Sequence, residues 1–136
     1  MKSPARYAVA ADHIFDGRLK HKNAAVLIEG SKIVSLVSQS ELPTNLSIDK
    51  LPVGSWLAPG FIDLQVNGGG DVLFNNSPTP DAIAAIMAAH RKFGTTALLP
   101  TLITDTFETM RAAKAACESL IGKEPSVLGL HLEGPY

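Results

Sequence analysis

The hydropathy pattern changes near Ala58, and this change constrains the fold more than any other feature of the sequence. From that point, short apolar runs alternate with helical patterns in the order strand, helix, strand, helix, strand, which is typical of parallel βα units. The predicted strands are residues 61–67, 95–102 and 127–132. We therefore expect residues 58–136 to form an α/β domain built on a parallel sheet.

Two amphipathic helices are predicted between these strands. The first has Thr79 as its N-cap, Pro80 at the first helical position and Gly94 at its end. The second covers about Thr106–Ile121 and stops at Gly122. Apolar residues recur at helical spacing in both, so each helix should bury one face. The residues expected on these faces are Ile83, Ile86, Met87, His90 and Phe93 in the first helix and Phe107, Met110, Ala113, Cys117, Leu120 and Ile121 in the second.

Residues 1–57 have a different pattern, typical of a small antiparallel sheet. A tight hairpin is predicted at residues 29–32, where Glu-Gly-Ser-Lys separates two β-branched runs. The polar stretch 39–55 contains two prolines, so we expect a loop with one short edge strand there. The sequence thus predicts two domains, with the boundary between residues 57 and 58.

Composition argues against several classes of partner. The 136 residues include 12 basic and 13 acidic side chains, without a run of like charge, so we expect neither nucleic acid nor a membrane surface as a partner. No apolar run reaches the length of about 18 residues that a membrane span needs, and no export signal is evident. The single cysteine, Cys117, allows no internal disulfide and suits the cytoplasm.

Polar side chains are placed where two of the predicted strands end. Because side chains alternate across a strand, Asp63, Gln65 and Asn67 share one face, and three glycines follow them. His131 and Glu133 share one face of the third strand. The carboxyl ends of parallel strands meet at one edge, where the active sites of βα barrels lie, so these groups predict a common site. The alternative is that they pair with neighbouring backbone or form solvated strand-end contacts.

Other candidate residues have simpler structural explanations. His90 lies on the apolar stripe of its helix, where a packed histidine is commoner than a ligand. His13 and His21 fall among the N-terminal strands and turns, and Cys117 has no neighbouring cation that would lower its pKa. The run NGGGD lacks the Gly-Lys-Ser/Thr ending of a P-loop. Nucleotide binding is therefore not expected.

Three segments carry a family resemblance: PGFIDLQVNGGG, GTTALLPTLIT and GLHLEGPY. In this order and spacing they resemble the N-acetylglucosamine-6-phosphate deacetylase family of the amidohydrolase superfamily. The resemblance covers the whole chain and implies part of a small β-sandwich domain in residues 1–57. Residues 58–136 would then supply about the first three strands of a TIM-type (β/α)8 barrel, which takes about 250 residues. We therefore expect the sequence to be the N-terminal portion of a longer enzyme.

The resemblance also implies a metal site. Many amidohydrolases have His-x-His at the end of the first barrel strand, where this sequence has Gln65 and Asn67. Amide oxygens are poor zinc ligands, so both residues are expected to line the pocket at a replaced metal position. Glu133 is the implied ligand of the remaining divalent metal, expected to be Zn²⁺ with one ion per subunit. His131 and Asp63 are expected either to support the site or to serve packing, and the family's catalytic aspartate and two histidine ligands would lie beyond Tyr136.

The implied reaction is metal-dependent hydrolysis of N-acetylglucosamine 6-phosphate to glucosamine 6-phosphate and acetate, by a cytoplasmic homodimer. With one expected ligand, the 136-residue chain alone should be inactive. One alternative is a non-catalytic fragment or interaction module that associates through open sheet edges. Another is a different amidohydrolase, such as a cyclic amidase, although the Gln-x-Asn pair and the LHLEGP segment favour the sugar deacetylases.

Overall fold

The computed structural model describes residues 5–134, and the chain divides into two compact units, Met1–Pro59 and Gly60–Tyr136. The strands of the first unit are β1 (Arg6–Phe15), β2 (Lys20–Glu29), β3 (Lys32–Ser38), β4 (Ser47–Lys50) and β5 (Trp56–Leu57). The elements of the second unit are β6 (Phe61–Val66), β7 (Gly68–Gly69), β8 (Val72–Leu73), α1 (Pro80–Arg91), β9 (Thr95–Leu102), α2 (Phe107–Leu120) and β10 (His131–Leu132). Neither helix in this described part of the chain has the length and apolar character needed to cross a membrane.

The first unit is a five-stranded sheet in the order β3-β2-β1-β4, with β5 also paired to β1. The predicted hairpin is confirmed, because β2 ends at Glu29 and the antiparallel β3 begins at Lys32. The predicted edge strand is β4. It runs parallel to β1, as does β5, so the sheet is mixed and not purely antiparallel. The connection after β3 crosses to the far edge of the sheet, which returns the chain in the direction of β1.

Alanine fills the core of this sheet. Ala10 is opposite Ala25, and Ala11 is opposite Ala24, across the β1–β2 pair. All four are buried, but they belong to two separate small clusters. Beside them lies an apolar groove of about 310 Å³, whose lining includes Ile33. The first unit therefore buries mainly alanines together with Ile14 and Leu27, while Ile33 is exposed at its surface.

The second unit is a parallel sheet in the order β10-β9-β6. The predicted first strand ends one residue early, at Val66, and the second has the predicted bounds. One apolar cluster joins the sheet to both helices, and it includes Val66, Leu98 and Leu102 from the strands, Ile83, Ile86 and Met87 from α1, and Met110, Ala113 and Cys117 from α2. This α/β arrangement agrees with the pattern seen in the sequence.

The helix starts are confirmed in detail. Thr79 accepts a hydrogen bond from the Ala82 amide at 3.2 Å, and Pro80 is the first residue of α1. Thr106 accepts in the same way from the Thr109 amide at 3.2 Å. Each cap satisfies an amide that the first turn of a helix leaves without an intrahelical partner.

Three residues predicted to be buried are exposed. Phe93 is 81% exposed, Phe107 69% and Ile121 49%. Phe93 lies in the turn after α1, Phe107 is the first residue of α2, and Ile121 is its C-cap. The helical period was extended past the turns that pack against the sheet, so the prediction was wrong at these ends.

The third predicted strand, 127–132, is much shorter than expected. It consists of the two-residue β10 and an isolated bridge between Leu98 and Val127. Leu128 donates to the Leu98 carbonyl at 3.1 Å, but the next donor that a regular ladder would use is residue 100. Pro100 has no N–H. The ladder is therefore interrupted until β10.

A glycine hairpin follows β6. Gly70 and Asp71, the two residues between β7 and β8, have φ values of 62° and 63°, as a type I′ turn requires. His90 of α1 lies within 2.9 Å of the Gly68 carbonyl through its Nε2 atom. A Cβ atom at Gly69 would lie 2.8 Å from the same nitrogen. Glycine is thus needed where the helix approaches the hairpin.

Candidate functional site

Glu133 is held between two amide side chains at the carboxyl ends of the parallel strands. Gln65 Nε2 donates to Glu133 Oε1 at 2.7 Å, and Asn67 Nδ2 donates to Glu133 Oε2 at 3.3 Å. The structure therefore brings together the three residues that the sequence placed at one edge of the sheet. Glu133 is 68 positions from Gln65 and 66 from Asn67 in the chain, so only the parallel packing of the strands makes it their neighbour.

Strand alternation explains which way the amides project. Val66 is buried in the cluster under the helices, and its neighbours Gln65 and Asn67 therefore project from the opposite face of the sheet. Glu133 is fixed by its backbone, since its amide donates to the Leu102 carbonyl at 3.0 Å. A Cβ atom at Gly134 would overlap Thr104 Oγ1. The residue after Glu133 must therefore be glycine for this packing to hold.

The described residues do not complete a zinc site by themselves. Residues 5–134 contain no group of three or more His, Cys, Asp and Glu side chains arranged to hold a metal. Zinc sites take three or four nitrogen, sulfur or carboxylate ligands, whereas this cluster offers one carboxylate and two neutral amides. Glu133 is the one anionic side chain among the three residues of the cluster. The amides can orient it but are a poor replacement for imidazole.

Asp63 and His131 lie close to this cluster. Asp63 Oδ1 accepts from the Gln65 amide at 3.1 Å, which fixes the backbone from which the Gln65 side chain projects. His131 Nδ1 is 3.2 Å from Thr101 Oγ1. Both side chains are half-buried. Asp63 thus contacts a member of the Glu133 cluster, and His131 contacts the neighbouring strand β9.

The other histidines and Cys117 have structural environments. His13 stacks on Trp56 with 4.7 Å between ring centroids, and His21 pairs with Asp16 at 2.7 Å. Burial raises the pKa of the Cys117 thiol to about 11. At neutral pH this cysteine is a thiol and not a nucleophilic thiolate.

Sequence reasoning missed two polar residues. Asn75 accepts from the Ile103 amide and donates to the Ile103 carbonyl, both at 3.1 Å, and it also donates to Asp105 at 2.9 Å. This contact holds the pKa of the Asp105 carboxyl below its usual value. Thr101 is fully buried and bonds to backbone and to His131. The only sequence signal was its position directly after a proline inside an apolar strand.

Parallel βα units with a carboxylate held at the carboxyl ends of their strands are typical of α/β enzymes, whose active sites lie at this edge of the sheet. No family model matches the chain. It is 52% identical over 81 residues to N-acetylgalactosamine-6-phosphate deacetylase of Shewanella sp. (strain ANA-3), covering 59% of this chain and 21% of that protein. It is 37% identical over 116 residues to N-acetylglucosamine-6-phosphate deacetylase of Haemophilus influenzae, covering 85% of this chain and 30% of that protein.

A solved structure gives the same result. N-acetylglucosamine-6-phosphate deacetylase from Pasteurella multocida matches with a TM-score of 0.90 and 35% identity, covering 96% of this chain and 35% of that one. The chain spans less than a third of the length of these curated relatives. The resemblance that three short motifs indicated is confirmed, and the chain corresponds to part of an enzyme of this kind.

Proposed function

We propose that the chain is part of an enzyme that hydrolyses the N-acetyl group of N-acetylglucosamine 6-phosphate to give glucosamine 6-phosphate and acetate. The observation that carries this proposal is the position of Glu133, whose two oxygens accept from Gln65 and Asn67 at the carboxyl ends of β6 and β10. The deacetylase relatives support the choice of an amino-sugar phosphate as substrate.

In this proposal Glu133 binds a divalent metal of the zinc class, one ion per subunit. Such a metal, when bound, would supply polarisation of the acetyl carbonyl and a lowered pKa for a bound water. Gln65 and Asn67 line the pocket and fix the rotation of the carboxylate, as the outer partners of metal ligands commonly do. Asp63 fixes the Gln65 backbone. The family resemblance places the other metal ligands and the proton-transferring aspartate beyond Tyr136.

We also propose that residues 58–136 begin a (β/α)8 barrel and that residues 1–57 are part of a small β-sandwich domain. Parallel strands with crossover helices on one face support the barrel, because its outer ring of helices covers that face. The polar groups of the candidate site then face the barrel interior. The match to the deacetylase structure from Pasteurella multocida supports both parts.

The cellular context of the proposal is a cytoplasmic homodimer that binds a small-molecule substrate and neither nucleic acid nor a membrane. A phosphorylated sugar is a charged metabolite, which supports an intracellular site of action. The chain has a formal net charge of -1, which gives no electrostatic basis for polyanion binding. Light scattering on the purified natural protein would measure the mass of the assembly.

Glu133→Gln in the natural protein that carries this sequence tests the proposed function. We expect kcat/KM for acetate release to fall by about 100-fold or more, because a metal ligand matters at least as much as the partners around it. Bound metal, measured by elemental analysis, should fall with it. Glu108→Gln is the matched control, since Glu108 is exposed in the first turn of α2. Wild-type turnover in the Glu133 variant would contradict the role of this residue.

A second candidate substrate is N-acetylgalactosamine 6-phosphate. The segment of 81 residues that is 52% identical to a deacetylase named for this sugar favours it. The two substrates differ only in the configuration at one hydroxyl group, so the reaction is unchanged. Measuring kcat/KM for both sugars side by side would decide between them, and the larger value identifies the substrate.

A further inference from the structure

Thr101 is the one buried polar side chain in the described core of the protein. Its hydroxyl oxygen lies 2.9 Å from the Val66 amide, 3.2 Å from the Leu99 carbonyl and 3.2 Å from His131 Nδ1. These groups belong to β6, β9 and β10 respectively. A single hydroxyl thus connects all the strands of the parallel sheet.

The hydroxyl occupies a place where the sheet is irregular. β6 and β9 pair Asp63 with Leu98 and then Val66 with Pro100, so β6 has one extra residue between these pairs. The Val66 amide donates to Thr101 Oγ1 at 2.9 Å, at the end of this irregular stretch. A buried amide without a partner is costly. The hydroxyl therefore gives this amide an acceptor from a side chain where the pairing of the two strands is irregular.

The hydrogen bonds of Thr101 indicate which nitrogen of the His131 ring carries the proton. A hydroxyl has one proton to donate and two lone pairs that accept. The Val66 amide uses one lone pair, and the Leu99 carbonyl, which can only accept, takes the proton. With the hydroxyl proton directed to Leu99, the remaining lone pair accepts a hydrogen from His131 Nδ1. In its neutral form the ring then has its proton on Nδ1 and a free lone pair on Nε2.

We propose that Thr101 is a positioning residue, which fixes the neutral His131 ring in the Nδ1–H form and holds β6 and β10 at the spacing that lets Gln65 and Asn67 reach Glu133. Val66 lies between the two amides in sequence, and His131 is two residues before Glu133. The Nε2 lone pair can accept a hydrogen bond from a water or a substrate hydroxyl. This inference deepens the proposed deacetylase function and rests on it.

Nitrogen chemical shifts of the His131 ring test the assignment without substrate. In the natural protein we expect Nδ1 protonated and Nε2 unprotonated at a pH where the ring is neutral. Thr101→Ser keeps the hydroxyl and should keep this pattern, whereas Thr101→Val removes it and should shift the proton toward Nε2. His90, whose ring contacts the Gly68 carbonyl, is the internal control and should not change. A wild-type ring with its proton on Nε2 would overturn the proposal, whether or not the valine variant folds.

Kinetics test the positioning role. We expect Thr101→Val to lower kcat by about 10-fold with little change in KM, and Thr101→Ser to recover most of it, since a partner outside the ligand set typically has effects of this size. An equal loss in both variants would overturn the role of the hydroxyl. If the natural protein hydrolyses neither acetylated sugar phosphate, the proposed function fails, while the ring shifts still decide the His131 assignment.

Discussion

The two units of the protein bury different kinds of side chain. In the first unit, alanines face one another across β1 and β2, and the core is divided into two small clusters. In the second, one cluster contains large side chains from the sheet and both helices. The largest of its fully buried members are Phe74, Ile83, Ile86, Leu98 and Leu102. The polar site belongs to the unit with the larger core, which gives its strand ends a firm support.

The largest expected change in the free energy of unfolding comes from a substitution in the core of the second unit. Phe74 has no exposed surface, so Phe74→Ala should lower the free energy of unfolding by about 3–5 kcal/mol through lost burial and a cavity. Ile33→Ala removes an apolar side chain that is 74% exposed in the first unit and should change it by less than about 0.5 kcal/mol. Urea unfolding measures both. Similar losses in the two variants would contradict the contrast between the units.

An intermediate effect should come from enlarging a residue in the alanine core. Ala25 has no exposed surface, so Ala25→Leu should cost about 1–3 kcal/mol by forcing β1 and β2 apart from their neighbours. Ala112→Leu is the matched control, because Ala112 is exposed on α2. Its effect on urea unfolding should be within about 0.5 kcal/mol. A neutral Ala25 variant would show that this core is loosely packed.

The smallest expected effect is a loss of stability of the first unit at acid pH. The Leu19 amide, the His21 side chain and the Arg18 amide lower the pKa of Asp16 to about 2 from 3.8. Because the folded pKa is the lower one, the stabilisation is complete above pH 3.8 and is lost as the pH falls toward 2. Asp16→Asn should therefore reduce the change in melting temperature between these two pH values.

Asp49→Asn serves as the control for this measurement, since Asp49 is exposed on the edge strand β4. It should leave the acid dependence as it is in the wild type. If the Asp16 variant keeps the full loss of stability on acidification, the local hydrogen bonds of this carboxylate contribute nothing to folding.

Much of the fold followed from periodicity and end signals. Thr79 and Pro80 marked the start of α1 correctly, and the alternation around Val66 predicted which side chains of β6 face the candidate site. Parallel strand order then brought Glu133 to the same edge. These features depend on local chemistry and on a single rule about strand direction, so they can be read from the sequence.

The rest depended on contacts between distant parts of the chain. Phe93 is apolar and in phase with its helix, but it lies beyond the last turn that packs. The two hydrogen bonds between the Asn75 side chain and the Ile103 backbone join residues 28 positions apart. The hydrogen bond from the Val66 amide to Thr101 lies where β6 and β9 pair irregularly. Register and distance in space decide these outcomes, and neither is contained in a local pattern.

Pro100 has a consequence for how this sheet can change over generations. Main-chain hydrogen bonds are indifferent to most substitutions, because every residue but proline offers the same donor and acceptor. Beside Pro100, a threonine hydroxyl does part of that work. A point mutation at the Thr101 codon can therefore alter the spacing of these strands. The main-chain hydrogen bonds of an ordinary sheet are insensitive to most such mutations.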